Sequence, residues 1–537
     1  MTVPFSLISL IEVSERTNRH NESWTYEIVF CYPSLKIKAE ACVTFSVPNI
    51  DRLAPRSARL LRIWTIAMSV RQTALQLSAV YFDDGHFTKD LTLAVAIPSE
   101  SQERQGYKCL QVYLDDCVIP LLSKMGFTCK LFENSVSDAG PFLLAERIEN
   151  LNMPTILTYG HGDVLLGQHE HWKPGLSPFD LHEEGDRLYG RGTADNKGQH
   201  LINLQALASV LEVQGELGFN VKVLFETGEE IGSPGLKEFC EQHRQALSAD
   251  VFIASDGPRI SPHSPTIFTG SRGGINFDLV VNLRDGAHHS GNFGGLLADP
   301  AIILSHAIAS ITDSRGQLQI PEWRPTSLTQ DIRDVLAVLP PIDAGFELDS
   351  DWGESSLTMA ERVFGWNSFA VLAMKSGHPE APVNAISGYA RATCQLRYVV
   401  GTEANDIISA LRQHLDKHGL QSVDIIQAEE NPFPATRLDI RNPWIAFIAA
   451  SLERTCGHRV DLLPNLGGSL PNDCFADVLG LPTIWIPHSY PGCCQHAPNE
   501  HLLKSTARQA LLCMTGLFVD ISASGQQIIS GSKYGTV

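Results

Sequence analysis

The residues of this chain whose types and positions could do metal chemistry are His161, Asp163, Asp195, Glu229, Glu230, Asp256 and His496. His161-Gly162-Asp163 follows an apolar, strand-like run from Thr155 to Tyr159. At a spacing of two on extended chain both side chains face the same way, so the imidazole can bind a metal while the carboxylate holds the ring from behind. Asp195 lies in Gly190-Arg-Gly-Thr-Ala-Asp-Asn-Lys-Gly198, at a helix start between glycines. Glu229 and Glu230 follow Thr227-Gly228 after another strand. Adjacent side chains diverge, so one carboxylate can ligate a metal while its neighbour holds a water. Asp256 ends the strand Val251 to Ala254, and His496 lies beyond the strand Pro482 to Ile486. Singly, each group has a plainer reading: a structural loop for His161 and Asp163, a helix N-cap for Asp195, and two acids favoured near a helix N-terminus for the glutamates. Together, imidazoles and carboxylates at successive strand ends and helix starts point to a metal site that suits zinc, and also manganese or cobalt.

The elements that must position these groups alternate between strand and helix from Thr155 onward, which predicts an α/β layer with a largely parallel sheet. Asn196 to Val213 reads as a helix, with Leu201, Leu204, Ala208 and Leu211 at spacings of three and four and Gly215 just past its end. Val221 to Phe225 is the next strand, and Ser233-Pro234 has N-cap and N1 chemistry for a helix through Phe239. In open α/β sheets ligands gather beyond the carboxyl ends of the strands, where the polar clusters of this chain fall. A region of different character interrupts the pattern. Ile275, Phe277, Leu279, Val281 and Leu283 alternate with mostly polar neighbours, as does Arg391 to Val400. That is the signature of a half-solvated sheet. A helix with Ile408, Leu411 and Leu415 on one face stops at Gly419, and a strand follows near Val423 to Ile426.

The organisation expected is therefore an N-terminal extension of unknown role (1–67) and a catalytic, metal-binding domain in two parts (68–265 and 433–520). An α+β domain (266–432) is inserted between those parts, and a Gly/Ser-rich frayed tail (521–537) closes the chain. The extension carries an arginine-rich stretch, Arg52, Arg56, Arg59 and Arg62, before Met68. A nucleic-acid arm is its sharp reading; an accessory segment or an untranslated upstream extension is the plain one.

Composition narrows the class. The chain has 537 residues, 43% hydrophobic and 19% charged, an ordinary globular mix. Acidic residues outnumber basic ones, 60 to 41, for a formal charge of -19, so the surface should repel phosphate backbones and anionic lipid. Neither nucleic acid nor a membrane is expected as a partner. No stretch reaches the ~20 apolar residues of a membrane helix, and Met1 to Val13 lacks the basic flank and cleavage site of a secretory signal. The twelve cysteines, with Cys493 and Cys494 adjacent, form no Cys-x-x-Cys and no framework spacing, as in a reduced cytoplasmic protein.

Beyond this residue-level reading, Tyr159-Gly-His-Gly-Asp-Val164, Trp172 with Pro178-Phe179, Leu188-Tyr-Gly-Arg-Gly-Thr-Ala-Asp-Asn-Lys-Gly198 and Glu226-Thr-Gly-Glu-Glu230 resemble a known family. It is the dinuclear metallopeptidases and deacylases that include carnosinase, glutamate carboxypeptidase, aminoacylase, acetylornithine deacetylase and succinyl-diaminopimelate desuccinylase. The likeness runs from about Tyr81 to about residue 520 and is strongest to the carnosinase-type dipeptidases. It implies that His161, Asp195, Glu230, Asp256 and His496 bind two divalent ions, with Asp195 bridging. Glu229 would be the general base and Asp163 the orienting acid. The inserted domain resembles the family's lid and dimerisation domain. Asp285-Gly-Ala-His-His-Ser-Gly-Asn-Phe-Gly-Gly295 is similar to the lid motif and makes His289 the substrate-facing histidine. Asn384 and Arg397 match the lid asparagine and the arginine that receives a substrate carboxylate. Gly467-Gly-Ser-Leu-Pro471 resembles a substrate-binding turn and implicates Ser469. Leu165 and Asn196 stand where proline and aspartate are commoner, and His288 is extra.

Two divalent ions against three ligating carboxylates would leave a net positive site, which lowers the pKa of water towards ~7. Glu229 would move the proton to the leaving amine, and His289 and Asn384 would hydrogen-bond the oxyanion. Arg397 would fix a free carboxylate through its planar fork. Without the resemblance, His289 is a turn histidine and Arg397 a member of a surface ion pair. The expectation is a cytoplasmic, homodimeric, zinc-dependent exopeptidase of dipeptidase or carboxypeptidase type. The nearest alternative is an N-acyl-amino-acid deacylase on the same metals, and the remote one is a non-catalytic metal-binding scaffold.

Overall fold

The apolar runs read from the sequence become strands of one mixed sheet. The computed structural model describes residues 24–31, 38–45, 69–103, 106–342, 347–428 and 433–532. The chain divides at Ala67 into two units. In the first, strand β1 (Trp24–Cys31) pairs antiparallel with β2 (Lys38–Phe45), with Trp24 opposite Phe45. Sequence reading had placed no hairpin there. The arginines at 52, 56, 59 and 62 lie outside the described residues.

In the second unit the large sheet uses β3 (Thr128–Phe132), β4 (Phe142–Arg147), β5 (Thr155–His161), β8 (Asn220–Glu226), β9 (Val251–Ala254), β10 (Thr266–Phe268), β15 (Asp461–Leu463) and β16 (Thr483–Trp485). Their order is β15-β10-β16-β9-β5-β8-β4-β3. The central run β16-β9-β5-β8 is parallel, and β4 and β3 close one side antiparallel. Central strands are buried on both faces, which explains their unbroken apolar character. A small antiparallel sheet joins β6 (His182–Glu184), β7 (Arg187–Tyr189) and β17 (His501–Leu503). It brings the segment after His496 back against the segment before Asp195.

The helix Lys197–Gln214 is buried nearly all round rather than along one stripe. It shares one core with β5, β8 and the long helix Lys504–Ser532. Truncating a residue such as Leu204 in that core to alanine would cost ~2–5 kcal/mol. Gly215 ends the helix at φ +79°, a left-handed cap that glycine adopts without strain.

The inserted sheet is antiparallel throughout, in the order β12-β13-β11-β14: β11 (Gly273–His289), β12 (Ser368–Ser376), β13 (Ala385–Tyr398) and β14 (Asp424–Gln427). Helices Pro300–Ile311 and Ile407–Lys417 cover one face, packing Leu304, Ala307, Leu411 and Leu415 on Phe277, Leu279, Ala392 and Leu396. The alternating pattern follows from this one-sided burial.

The structure corrects three expectations. Strand β10 belongs to the large sheet, paired with β15 and β16, so the insert begins after Phe268 rather than at residue 266. The segment from Ile521 is no frayed tail but helix to Ser532, with Ile521 buried, because its apolar side chains extend the shared core. The helix expected from Ser233-Pro234 starts at Leu236 with Gly235 at its N-cap. The Ser233 hydroxyl instead donates to Glu226 Oε1 at 2.9 Å.

Candidate active site

Each sequence-predicted group of the large sheet arrives at one place. His161 ends β5, Asp195 precedes the buried helix, Glu229 and Glu230 form a turn after β8, and Asp256 follows β9. His496 comes from a loop beyond β16, with its backbone at φ +60°. Asp195 stands between the two imidazoles: its Oδ1 is 3.0 Å from His161 Nε2 and its Oδ2 is 3.0 Å from His496 Nε2. Asp256 Oδ2 lies 3.6 Å from His161 Nε2, and Glu230 Oε2 lies 3.3 Å from His496 Nε2. Two three-residue clusters able to hold a cation therefore share one carboxylate: His161, Asp195 and Asp256, and Asp195, Glu230 and His496.

Asp163 has two tasks in this geometry. Its Oδ1 is 3.3 Å from His161 Nδ1, on the far side of the ring from Asp195. It also accepts the backbone N–H groups of Glu229 at 3.2 Å and Glu230 at 3.1 Å. One buried carboxylate thus orients a histidine and the turn that carries both glutamates.

The electrostatics suit cations. Burial works against a charged His161 ring, yet its hydrogen bonds to Asp163 and Asp195 outweigh that and hold its pKa well above the ordinary value. Burial pushes the carboxyl groups of Glu229 and Glu230 well above their usual range, with neighbouring acids adding to it. Burial likewise carries Asp256 up to about 6. Its Oδ2 is buried without a hydrogen-bond partner. Clustered carboxylates, an orphaned oxygen and only nitrogen and oxygen donors fit divalent ions. Asp195, Glu229, Asp256 and His496 border a cavity of about 260 Å³, also lined by Leu466, Ser469, Leu470 and Gln495.

The residues of the inserted domain divide. Arg397 Nη1 donates to Ser469 Oγ at 2.9 Å, and Nε donates to Gln395 Oε1 at 3.1 Å. Among the described residues Arg397 has no acidic partner, and both groups it binds are neutral. His289 and Asn384 do not reach the cavity. They sit exposed at the far end of the β11–β13 pair, where His289 Nδ1 accepts from Gly291 N at 3.1 Å and the Asn384 carbonyl accepts from Ser290 N at 2.9 Å.

Sequence reading missed Glu500. Its fully buried carboxylate accepts the N–H groups of Gly192, Ala194 and Asp195 at 3.0, 2.9 and 3.1 Å through Oε1. Its Oε2 pairs with Arg191 Nη1 at 2.8 Å. The loop that carries Asp195 is thereby fastened to the loop that carries His496. Gly198 lets that loop close, since a Cβ there would stand 2.0 Å from the Thr193 carbonyl oxygen. A lone acid four residues after His496 has no sequence signal of its own.

Imidazoles and carboxylates converging at the carboxyl ends of a largely parallel sheet, with an antiparallel sheet inserted in the chain, fit a metal-dependent hydrolase of α/β fold. The sequence model of peptidase family M20/M25/M40 matches residues 157–519, and the chain belongs to this family. It is a metal-dependent hydrolase. The Beta-Ala-His dipeptidase of Rattus norvegicus is 25% identical over 414 residues, 73% of this chain and 82% of that one. The cysteinylglycine-S-conjugate dipeptidase of Corynebacterium striatum is 27% identical over 336 residues, 59% of this chain and 70% of that one. The solved structure of the di-peptidase Dug1p from Saccharomyces cerevisiae matches the fold with a TM-score of 0.70 at 21% identity, over 85% of this chain and all of that one. No helix among the described residues is long and apolar enough to cross a membrane.

Proposed function

We propose that the chain is a dinuclear metallodipeptidase that cleaves a dipeptide or short peptide next to a free C-terminal carboxylate. The observation that carries this reading is the two-sided position of Asp195, one oxygen towards each imidazole and each pair flanked by one further carboxylate. His161 and Asp256 would hold one ion and Glu230 and His496 the other, with Asp195 available to both. Zinc suits these donors, with manganese or cobalt as chemical alternatives. When bound, the ions acidify a water and polarise the scissile carbonyl. Glu229, which borders the cavity and among the described residues is hydrogen-bonded to none of the proposed ligands, accepts the water's proton and delivers it to the leaving amine. Asp163 keeps His161 and the Glu229 turn in register. Arg397 and Ser469 receive the carboxylate, and a cavity of about 260 Å³ favours short substrates.

His289 and Asn384 are exposed and do not line the cavity in this arrangement. We assign them to the site of a second copy, reached through a homodimer of the inserted domains. A cytoplasmic location fits the scattered cysteines. The test is hydrolysis of a mixed library of dipeptides and N-acyl amino acids, with metal measured on the same sample. Turnover of dipeptides with two ions per chain is expected. Turnover of N-acyl amino acids alone would replace the dipeptidase reading with a deacylase.

A further inference from the structure

Arg272 lies on the chain that crosses from the large sheet into the inserted sheet, between β10 and β11. It is 8% exposed, and among the described residues no carboxylate pairs with it. Its contacts are with neutral oxygens instead, and they fall into two sets. On the large-sheet side, Nε donates to the Gly467 carbonyl at 2.8 Å, and the backbone N–H is shared between the carbonyls of Leu466 at 3.2 Å and Gly468 at 3.1 Å. These contacts grip the turn that presents Ser469. On the inserted side, Nη1 donates to Ser368 Oγ at 3.2 Å and to the Trp366 carbonyl at 3.5 Å.

Ser368 is the direct cross-strand partner of Arg397, and Gly274 faces Arg397 from the other neighbouring strand. A Cβ on Gly274 would stand 3.5 Å from Ser469 Oγ and 3.9 Å from Arg397 Nη1, so the strand and the turn meet there. Two guanidinium groups thus share a small region, and among the described residues no acid pairs with either. Burial, with the charge of Arg397 adding to it, pushes the Arg272 pKa down to about 10. A buried charge held only by carbonyls and a hydroxyl is a costly way to brace a hinge. A neutral side chain would do that alone.

We propose that Arg272 is a positioning residue for the substrate's carboxylate: it locks the Ser469 turn and the Arg397 strand into one frame and so sets the selection for a free C-terminus. This rests on the reading that Arg397 receives that carboxylate. The experiment compares kcat and KM for a dipeptide and for its C-terminal amide. The variants are Arg272→Lys, Ser368→Ala, Ser469→Ala, Arg397→Met and the double variant Arg272→Lys/Ser469→Ala, each checked for melting temperature and metal content. Arg272→Lys should raise KM for the dipeptide roughly tenfold or more with kcat little changed. It should leave the amide nearly unaffected, so that the preference for the free acid shrinks by the same factor. Ser368→Ala, a mild change outside the turn, should shift the preference the same way by less. The double variant should be scarcely worse than Ser469→Ala.

Equal loss on both substrates, or full additivity in the double variant, would overturn the positioning role. Should Arg272→Lys be unstable, Ser368→Ala decides alone, and an unchanged preference there counts against the proposal. Loss of preference in Arg397→Met but in neither Arg272→Lys nor Ser368→Ala overturns only the role of Arg272. An intact preference in Arg397→Met overturns the carboxylate reading beneath it as well.

Discussion

The carboxyl end of the large sheet and the tip of the inserted sheet carry the two halves of the proposed site, and they are built in opposite ways. At the first, nearly every functional side chain is held by a second group: His161 by Asp163, Asp195 by the Glu500-braced loop, Glu229 and Glu230 by Asp163. His161, Asp163 and Glu500 are wholly buried, and Asp195 is 7% exposed. At the second, His289 and Asn384 are exposed, and their contacts are with the adjacent turn. Groups that hold highly charged ions must be fixed before substrate arrives, because reorganising buried charge during the reaction is expensive. Groups that only complete the oxyanion site can be brought in by lid closure or by a second subunit. Burial here goes with the groups organised in advance, the exposed ring of His496 excepted, and exposure goes with the two groups assigned to delivery.

The sharpest way to break this comparison is at the base. Glu229→Gln should lower kcat by about 10²–10⁴-fold while both ions stay bound, as read by steady-state kinetics and metal analysis of one sample. Parallel loss of metal and activity would exchange the roles assigned to Glu229 and Glu230.

At the delivered end, His289→Ala should lower kcat by about 10²–10³-fold, the worth of one oxyanion donor, with metal content unchanged. Mixing that protein with Glu229→Gln protein, under conditions that exchange subunits, should restore activity, because one site of each mixed dimer holds both intact groups. A dead mixture with exchange verified by a tagged subunit would place His289 in its own chain's site.

Glu500→Gln probes the organised end without touching a proposed ligand. It keeps the shape but loses the charge opposite Arg191 and weakens three hydrogen bonds, so metal affinity should fall about 10–100-fold. Competition with a fluorescent chelator measures this, and unchanged affinity would show that the loop around Asp195 holds without its brace.

Asp473 tests the cost of burial itself. Burial raises its pKa to about 6 and leaves its Oδ1 without a partner. The folded state therefore binds more protons than the unfolded state between about pH 4 and 6, and stability falls as pH rises through that window. Asp473→Asn should stabilise the protein by about 1–3 kcal/mol at pH 7.5, with the gain vanishing below about pH 4. Thermal melts across that range would show it, and a gain independent of pH would assign the effect to something other than the charge.

The smallest effect is expected at the start of the chain. A chain beginning at Met68 should fold and keep its activity, since every residue named in the proposed site lies in the second unit. Inactivity of that truncated chain would show that residues 1–67 complete the core or the site.

Much of this protein is written locally. Period-two alternation at Ile275 to Leu283, three-and-four spacing at Leu201 to Leu211, and chemically distinctive residues at the strand ends were enough for the fold class and for picking out groups that the structure brings together. Such signals survive in sequence because each depends on the conformation of one short segment. Other features depended on packing between distant segments. Glu500 reaches the N–H of Asp195 across 305 residues, and Arg272 reaches Gly467 across 195. β10 joins the large sheet through partners near residues 461 and 485. Nothing in the Gly/Ser-rich composition after Ile521 announces a helix, which forms because its apolar side chains find the core shared with Lys197–Gln214. The absence of His289 from the cavity lining is likewise a matter of where one sheet stands against another. Sequence by itself determined which side chains can do the chemistry and on which elements they ride; tertiary structure alone decided which are braced, which are bridged and which are left waiting, because hydrogen bonds and burial join residues that no local pattern connects.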